Sequence, residues 1–315
     1  IIRTVKLVRR PFHVPSVDYG RLGDSAGYIR IESFSGDTAE LVGRALNSFR
    51  NGGTGLTGLV LDVRGNPGGY LDAVQKVAAR FIREGPLFYT VDRNRTLNPL
   101  MIRNGSSVDV PVVMLVDGRS ASASEVLAGA LKDYGLATLV GVRTFGKGSV
   151  QQLVSLKNGG GLRVTVEYYL TPNRKEVNEV GITPHIYEVY PPGQTMTAAR
   201  LAGVKQFTVE LKPYETVVNG VPFDHVVRMI RRDDRVYIHS RALAAVLGGQ
   251  AIWNEAEGTV TIEGPGRTAT FSDRNGLLPE DGIGYIDLRK FTEAFPEVTA
   301  DVSAKSVTLE LRDDG

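Results

Sequence analysis

Apolar runs and amphipathic segments alternate along the first half of the chain. Apolar stretches bounded by turn residues predict strands at 27–32, 58–63, 111–117 and 138–142. Apolar residues at helical spacing predict helices at 37–49, 71–82 and 122–134. Nearly continuous apolar strands are typical of a parallel sheet that is covered on both faces. The succession of strand, loop and helix therefore predicts an α/β core.

The pattern changes after residue 148. Alternating segments at 149–156 and 162–170 flank the turn K-N-G-G-G and predict a β-hairpin. Residues 188–205 include P-P-G-Q-T, which indicates a linker. We therefore expect a core at 20–187 and a second, smaller domain from residue 206.

The second domain contains related stretches that predict an internal repeat. The sequence at 236–247 is similar to that at 284–295, and 259–263 is similar to 306–310. Each unit has the pattern of a short strand, an amphipathic helix and another strand. Residues 206–315 are thus predicted to form an α+β domain built from a duplicated unit.

Composition narrows the classes of function. The 315 residues carry a formal net charge of only +2, so we expect no nucleic-acid partner. The chain has no cysteine, which excludes disulfides, cysteine nucleophiles and cysteine metal ligands. No apolar run reaches the roughly 18 residues that a membrane span needs. The first ten residues alternate like a strand, and we expect that further sequence once preceded them.

Three polar loops follow the predicted buried strands, at 64–69, 120–125 and 144–152. Each has an ordinary structural explanation: a turn before a helix, a set of helix caps, and a glycine turn with a solvated lysine. Sites in α/β sheets, however, lie at the ends of strands. Because three such loops follow strands of one sheet, we predict that they meet in a site.

The loop R-S-A-S-A-S-E ends where a helix begins, so one of its serines stands at a helix N-terminus. Free backbone N–H groups there favour a developing oxyanion. A serine nucleophile also needs a base, and none of the four histidines lies in the three loops. Folding could bring His185 close, but Lys147 in F-G-K-G is the simpler candidate. Burial in a dry pocket would favour its neutral form, which predicts a Ser–Lys dyad.

A nucleotide site is the competing interpretation of the same lysine. Residues 141–148 match the phosphate-binding pattern G-x-x-x-x-G-K-[ST] except at the last position. That position is Gly148, which lacks the hydroxyl that would bind magnesium. The residues that follow have a strand pattern, whereas phosphate binding needs a helix N-terminus. We therefore disfavour this interpretation.

The loops together resemble those of a known family. R-S-A-S-A-S-E, V-G-V-R-T-F-G-K-G-S-V-Q, Y-Y-L-T-P and G-I-T-P occur in order, after L-V-L-D-V-R-G-N-P-G-G. These motifs, within residues 20–187, are similar to those of the C-terminal processing peptidases, also called tail-specific proteases. The resemblance implies a crotonase-like core in which Ser122 is the nucleophile and Lys147 the base. It also implies that Gln151 helps to hold Lys147.

The same resemblance implies an oxyanion hole. One donor would be the backbone N–H of Ala123, and the other that of Gly68 or Gly69. Ser120 and Ser124 would then shape and cap the turn around the nucleophile.

The chain departs from the family pattern in two places. His185 stands where the family motif G-I-T-P-D has aspartate, which we interpret as neutral drift. We expect that most of the family's PDZ domain, which binds the apolar C-terminal tail of the substrate, is missing from this chain. We expect residues 1–19 to be its remnant, with its last strand at 3–8.

The second domain is similar to the copper amine oxidase N-terminal-like domains of exported Gram-positive proteins. The resemblance rests on V-V-N-G-V-P-F, V-Y-I-H-S-R-A-L-A-A-V-L-G-G, Trp253 and T-V-T-I. No histidine stands at ligand spacing with another, so we predict no metal and no cofactor. The domain is expected to bind the cell wall, another protein or a second subunit, or only to brace the core.

Together these features predict an extracytoplasmic serine endopeptidase of the cell envelope. It would cleave proteins or peptides with apolar C-termini, near those termini. The alternative is a latent protease core that serves as a binding or scaffold protein. The intact set of Ser122, Lys147 and Gln151 argues against a decayed site. A homodimer is left open.

Overall fold

The computed structural model describes residues 14–51, 55–223 and 225–311, so the strand predicted at 3–8 lies outside the described residues. The helices of the described chain are α1 (Thr38–Asn51), α2 (Leu71–Ala78), α3 (Ala123–Asp133), α4 (Pro191–Leu201), α5 (Ser240–Leu247) and α6 (Leu288–Ala294). The strands of its first part are β1 (Val17–Leu22), β2 (Ala26–Ile31), β3 (Gly58–Asp62), β4 (Gly85–Asp92), β5 (Leu97–Ile102), β6 (Val112–Val116), β7 (Thr138–Gly141), β8 (Ser149–Ser155), β9 (Gly161–Leu170) and β10 (Ile186–Tyr187).

A twisted sheet of order β1-β2-β3-β6-β7-β10 forms the centre of the core. All neighbouring strands are parallel except β1 and β2. Helices α1, α2 and α3 cover one face, where Val42, Val74 and Leu127 share a buried cluster with Ile29 and Leu61. The α/β core predicted from the sequence is confirmed. Its description as crotonase-like stays a prediction.

A smaller antiparallel sheet of order β5-β4-β9-β8 lies beside this core. It contains the predicted hairpin, whose strands β8 and β9 are largely exposed. Strands β4 and β5 were not predicted. The sequence L-N-P-L-M-I of β5 contains Pro99, and a proline is tolerated here because β5 is an edge strand.

Residues 188–205 connect the two halves through a helix that the sequence pattern did not predict. Helix α4 begins with two prolines, which are compatible with a first helical turn because its N–H groups lack helical partners. Its buried residues Met196 and Ala199 pack against Val113, Leu115 and Val140. The helix therefore covers the second face of the central sheet.

The second half is rich in strands. These are β11 (Phe207–Leu211), β12 (Thr216–Val218), β13 (Val221–Phe223), β14 (Met229–Arg232), β15 (Arg235–His239), β16 (Gln250–Asn254), β17 (Thr259–Gly264), β18 (Arg267–Phe271), β19 (Leu277–Glu280), β20 (Ile283–Asp287), β21 (Val298–Val302) and β22 (Val307–Leu311), with a short 3-10 helix at Asp273–Asn275. They form sheets of order β13-β12-β11-β22-β21, β14-β15-β20-β19 and β16-β17-β18. A smaller sheet-rich unit beside the α/β core is thus confirmed, while its start at residue 206 remains a proposal.

One of the two buried clusters contains residues of both halves. The ring of Tyr28 in the central sheet packs edge-on against Phe223, with centroids 5.2 Å apart. Within the second half, Ile238 of β15 pairs directly with Ile286 of β20. These two residues occupy equivalent positions in the predicted repeat, although the repeat itself remains a prediction. In the part of the chain that the structure describes, no helix is long and apolar enough to cross a bilayer.

Candidate active site

The loop after β3 is held in place by the side chain of Asn66. Its amide donates to the carbonyl of Ile31 at 2.8 Å, and its Oδ1 accepts from the N–H of Gly68 at 2.8 Å. Gly69 has a φ of +149°, and a Cβ there would lie 2.0 Å from the carbonyl oxygen of Phe34. The motif N-P-G-G thus needs glycine because the loop touches a neighbouring backbone segment.

The three serines of R-S-A-S-A-S-E have different surroundings. Ser120 is fully buried, and its Oγ donates to the carbonyl of Val63 at 2.8 Å. Ser124 is also fully buried, and its Oγ donates to the carbonyl of Asn66 at 3.0 Å. Ser122 is half-buried and lines a cavity. The outer serines therefore tie the turn to the loop after β3, and only the middle serine faces open space.

Ser122 adopts an unusual backbone conformation at the start of α3. Its φ of 55° and ψ of −115° are strained for a residue other than glycine, and such strain often occurs at functional sites. A Cβ at Gly68 would lie 2.8 Å from Ser122 Cβ and 3.0 Å from the nitrogen of Ala123. The loop after β3 thus lies directly against the turn that presents Ser122.

The loop F-G-K-G carries Lys147 between two glycines. The backbone at each of these positions favours glycine over any other residue. Gly146 has a φ of +91°. A Cβ at Gly148 would lie 2.4 Å from the backbone nitrogen of Asn178. Gly146 is therefore favoured by its positive φ, and Gly148 by the close approach of the Asn178 backbone.

Glu125 connects these two loops. Its fully buried carboxylate accepts hydrogen bonds from Ser122 N–H (2.9 Å), Lys147 N–H (2.8 Å), Gly146 N–H (2.7 Å) and Thr144 Oγ (2.6 Å). Each carboxylate oxygen therefore has two donors, which compensates its removal from water. No role for Glu125 was predicted from the sequence. The sequence pattern that indicates this role is the spacing of Ser122 and Glu125, which is that of a capping box.

Ser122, Lys147 and Gln151 line one cavity of about 350 Å³. The structure thus brings together the three residues that were predicted to act together. Apolar and aromatic side chains form much of the remaining wall, namely Leu71, Phe88, Val126, Val150, Leu153 and Tyr169. The expectation of a dry pocket for Lys147 is wrong for the free protein, since the residue is exposed. Beside Lys147 the cavity is bounded by strands β8 and β9. These strands are largely exposed, so the cavity is open to water there.

The pairing of β8 with β9 is irregular beside Gln151, where β9 has one extra residue, Val166. The pairing of β8 with β9 shifts register between Val150 and Gln151. A bulge of this kind rotates the strand and redirects the side chains that follow. After the shift, Gln151 stands opposite Thr165, and Leu153 stands opposite Arg163.

The predicted oxyanion donors differ in their availability. The N–H of Gly68 already donates to Asn66 Oδ1. The N–H groups of Gly69 and Ala123 have no acceptor among residues 14–51, 55–223 and 225–311. Of the two glycines named from the sequence, Gly69 therefore has the free donor.

Tyr169 is a further cavity residue that sequence reasoning missed. Its hydroxyl donates to the carbonyl of Ser122 at 3.2 Å, and its side chain is buried. Burial and the nearby charge of Glu125 raise the pKa of this hydroxyl well above its ordinary value. Tyr169 therefore stays protonated and helps to hold the strained turn.

A buried ion pair stands at the start of the loop after β3. Arg64 binds Asp62 through Nε (2.9 Å) and Nη2 (2.5 Å) and also reaches α4, where Nη1 donates to Gln194 Oε1 at 3.1 Å. Burial works against ionisation of Asp62, but the Arg64 guanidinium outweighs it and holds the pKa of this carboxyl below its usual value. Arg64 thus anchors the loop to the helix that leads into the second half.

The alternative base His185 does not line the cavity. Its Nδ1 accepts from the backbone N–H of Leu139 in β7 at 2.9 Å. Burial and the charge of Lys132 lower the pKa of His185. His185 thus stabilises the backbone of β7 and is not placed to act as the base.

Within the described residues, no group of three or more His, Asp or Glu side chains could hold a metal ion.

Comparison with known proteins decides the family. Residues 25–188, just over half of the chain, match the sequence profile of Peptidase family S41. The chain belongs to peptidase family S41. The S41 match ends close to the end of the core predicted from the motifs, and the resemblance stated from them is confirmed.

The S41 relatives include named processing proteases. The chain is 42% identical over 168 residues to the carboxyl-terminal-processing protease of Synechocystis, covering 53% of this chain and 39% of that protein. It is 41% identical over 206 residues to the carboxy-terminal processing protease CtpB of Bacillus subtilis, covering 64% and 42%. The chain thus spans less than half the length of these curated relatives.

Among solved structures, the chain is similar to the photosystem II D1 C-terminal processing protease. The TM-score is 0.54 at 33% sequence identity, and the match covers 59% of this chain and 52% of that one.

Proposed function

We propose that this S41 chain is a serine endopeptidase that hydrolyses peptide bonds near the C-termini of proteins. The observation that carries the proposal is that Ser122, Lys147 and Gln151 line one cavity beside the free N–H of Ala123. Ser122 is also the one serine of its motif whose side chain faces that cavity.

The proposed reaction is acyl transfer to Ser122. The neutral amine of Lys147 takes the hydroxyl proton of Ser122 as Oγ bonds to the substrate carbonyl carbon. The carbonyl oxygen becomes an oxyanion that accepts hydrogen bonds from Ala123 N–H and Gly69 N–H. When the C–N bond breaks, Lys147 returns its proton to the leaving amine. A water molecule then attacks the carbonyl carbon of the acyl-enzyme while Lys147 takes its proton. When the ester bond breaks, Lys147 returns the proton to Ser122 Oγ and the acid is released.

Gln151 and Glu125 position the base in this proposal. The backbone N–H of Lys147 donates to the same carboxylate that accepts from Ser122, which supports a constant spacing of the two loops. Gln151 lies on the same cavity wall and can hold the amine from the side. Both residues act on the reacting groups through Lys147 and Ser122.

The proposed substrates are unfolded proteins or peptides with apolar C-termini. The names of the relatives, carboxyl-terminal-processing proteases, support cleavage near a chain end. The apolar wall made by Leu71, Phe88, Val126 and Leu153 supports an apolar side chain close to the scissile bond.

The proposed setting is the cell envelope, outside the cytoplasm. The second half is proposed to bind the cell wall or another protein, or to brace the core. The competing proposal, a latent core that acts as a scaffold, has one observation in its favour: Lys147 is exposed to water. A bound peptide would cover it, so the exposed state is also what a free enzyme would have before substrate arrives.

Digestion followed by mass spectrometry tests the proposal. An unfolded protein and a peptide with an apolar C-terminus are incubated with the parent chain, with Ser122→Ala and with Ser149→Ala. Ser149 lines the same cavity and is the matched control for loss of a hydroxyl. We expect cleavage by the parent and by Ser149→Ala and none by Ser122→Ala. Cleavage by all three would remove Ser122 from the mechanism, and cleavage by none would favour the latent core.

A further inference from the structure

The catalytic cavity has an unbalanced charge. Its charged lining residues are Lys147 and Arg163, and every other lining residue is uncharged. In the described chain the guanidinium of Arg163 makes no hydrogen bond or ion pair with the protein. An arginine usually pairs with a carboxylate or stacks on an aromatic ring when such a group is within reach. Here the protein leaves a cation facing the space where a substrate would lie.

The register of the hairpin explains why Arg163 reaches this space. Arg163 in β9 stands opposite Leu153 in β8, and Thr165 stands opposite Gln151. Residues two apart in a strand share a face, so Gln151, Leu153 and Arg163 lie on the same side of the hairpin. All three line the cavity.

The buried carboxylate beneath the cavity does not neutralise Arg163. Glu125 is not among the lining residues, and its two oxygens already have four donors. Tyr169, which does line the cavity, is held in its neutral form by burial. The cation of Arg163 therefore lacks an acidic partner on the cavity wall.

We propose that Arg163 binds a carboxylate of the substrate and so selects peptides that carry an acidic group close to the bond cut at Ser122. This inference rests on the proposed peptidase function and adds a substrate class to it. A guanidinium forms two parallel hydrogen bonds to a carboxylate, which orients the peptide as well as attracting it. The apolar wall of the same cavity holds a neighbouring apolar side chain. The preferred substrate thus combines an apolar and an acidic group.

Two sources can supply the carboxylate: the free C-terminus of the chain, or an Asp or Glu side chain. Paired peptides distinguish them. One pair differs only in having a free or an amidated C-terminus. A second set replaces Glu by Gln, and then by Lys, at each position near the cleavage point found by mass spectrometry. The ratio of kcat/KM within each pair measures the preference.

Charge reversal at one position provides the decisive comparison. The parent should prefer the peptide with the carboxylate by about tenfold or more, and Arg163→Gln should reduce this ratio to near one. Arg163→Glu should reverse the preference and favour the lysine peptide. Lys157→Glu, in the exposed turn of the same hairpin but outside the cavity, changes the net charge equally and should leave the ratio unchanged. Added salt should reduce the parent's preference.

Binding to Ser122→Ala keeps the test independent of catalysis. Fluorescence anisotropy with the same labelled peptides should give a lower Kd for the carboxylate form. In that background Arg163→Gln should abolish the difference and Arg163→Glu should reverse it. Equal Kd values for acidic and neutral peptides, or an unchanged acidic preference in Arg163→Glu, would overturn the inference. Absence of cleavage together with selective binding would instead count against the peptidase proposal alone.

Discussion

Ser122 and Lys147 both donate their backbone N–H to one oxygen atom, Oε2 of Glu125, at 2.9 and 2.8 Å. The loop that presents the proposed nucleophile and the loop that presents the proposed base therefore share a single buried acceptor. The other oxygen binds Gly146 N–H and Thr144 Oγ. The spacing of the two loops thus depends on a group that itself does not line the cavity.

Glu125→Gln should impair catalysis more than substrate binding. The amide has one oxygen for four donors, and its NH₂ group would face donors instead of accepting from them. We expect a lower Tm and a fall in kcat of about tenfold or more with little change in KM, since each ~1.4 kcal/mol of lost transition-state stabilisation is tenfold. Glu84→Gln, at an exposed position, is the control and should match the parent. An unchanged kcat in Glu125→Gln would contradict the positioning role.

Gly69→Ala should unfold or displace the loop after β3. The new Cβ would lie 2.0 Å from the carbonyl oxygen of Phe34, and the φ of +149° is itself unfavourable for alanine. We expect a loss of more than about 2 kcal/mol in the free energy of unfolding, together with loss of activity. Gly36→Ala, where a Cβ meets nothing within 4 Å, should change stability by less than about 0.5 kcal/mol. Urea unfolding of both variants measures the difference.

Arg64→Met should be more harmful than removing both partners of the buried pair. The single variant leaves the carboxylate of Asp62 buried without its cation, which costs about 3–5 kcal/mol. The double variant Asp62→Asn with Arg64→Met removes both charges of the pair and should recover part of that loss. Chemical denaturation at neutral pH gives the three stabilities. A double variant less stable than Arg64→Met would show that the ion pair itself is not the main contribution.

His239 should make the stability of the protein depend on pH. Burial and the charges of Arg241 and Arg228 lower the pKa of His239 to about 4, from an ordinary value of 6.5. Its ring stacks on Tyr190, with centroids 4.9 Å apart, and its Nδ1 accepts from Arg241 N–H at the start of α5. Between those two pH values the unfolded chain binds a proton that the folded chain does not. Stability should therefore be complete above pH 6.5 and decrease as the pH falls towards 4.

His239→Asn is the matched variant for this prediction. Asparagine can still accept the N–H of Arg241 at the helix start but does not titrate. Its Tm should be lower at neutral pH because the stacking is lost, yet it should fall less than that of the parent between pH 6.5 and 4. Equal slopes for both proteins would remove His239 as the source.

The local elements could be predicted well from the sequence. The strand at Gly58–Asp62 and the helix at Ala123–Asp133 lie within a residue or two of their predicted bounds, because apolar periodicity and turn residues act over short segments. The motifs also identified the S41 family and the loops that line the cavity. Helix α4 was missed because its P-P-G start has the composition of a linker, and its helical state depends on packing against the central sheet.

Contacts between distant parts of the chain decided the remaining features. Only the fold shows that Ser120 and Ser124 are bound to backbone carbonyls, that Glu125 joins two loops about 20 residues apart, and that Gly68 has already used its N–H. Only the fold shows that Lys147 is exposed and that Arg163 faces the same cavity. The sequence by itself therefore determined which elements form and which residue types are available for chemistry. Tertiary structure decided which of those groups are free to react, because hydrogen-bond partners and access to solvent depend on which strands and loops become neighbours.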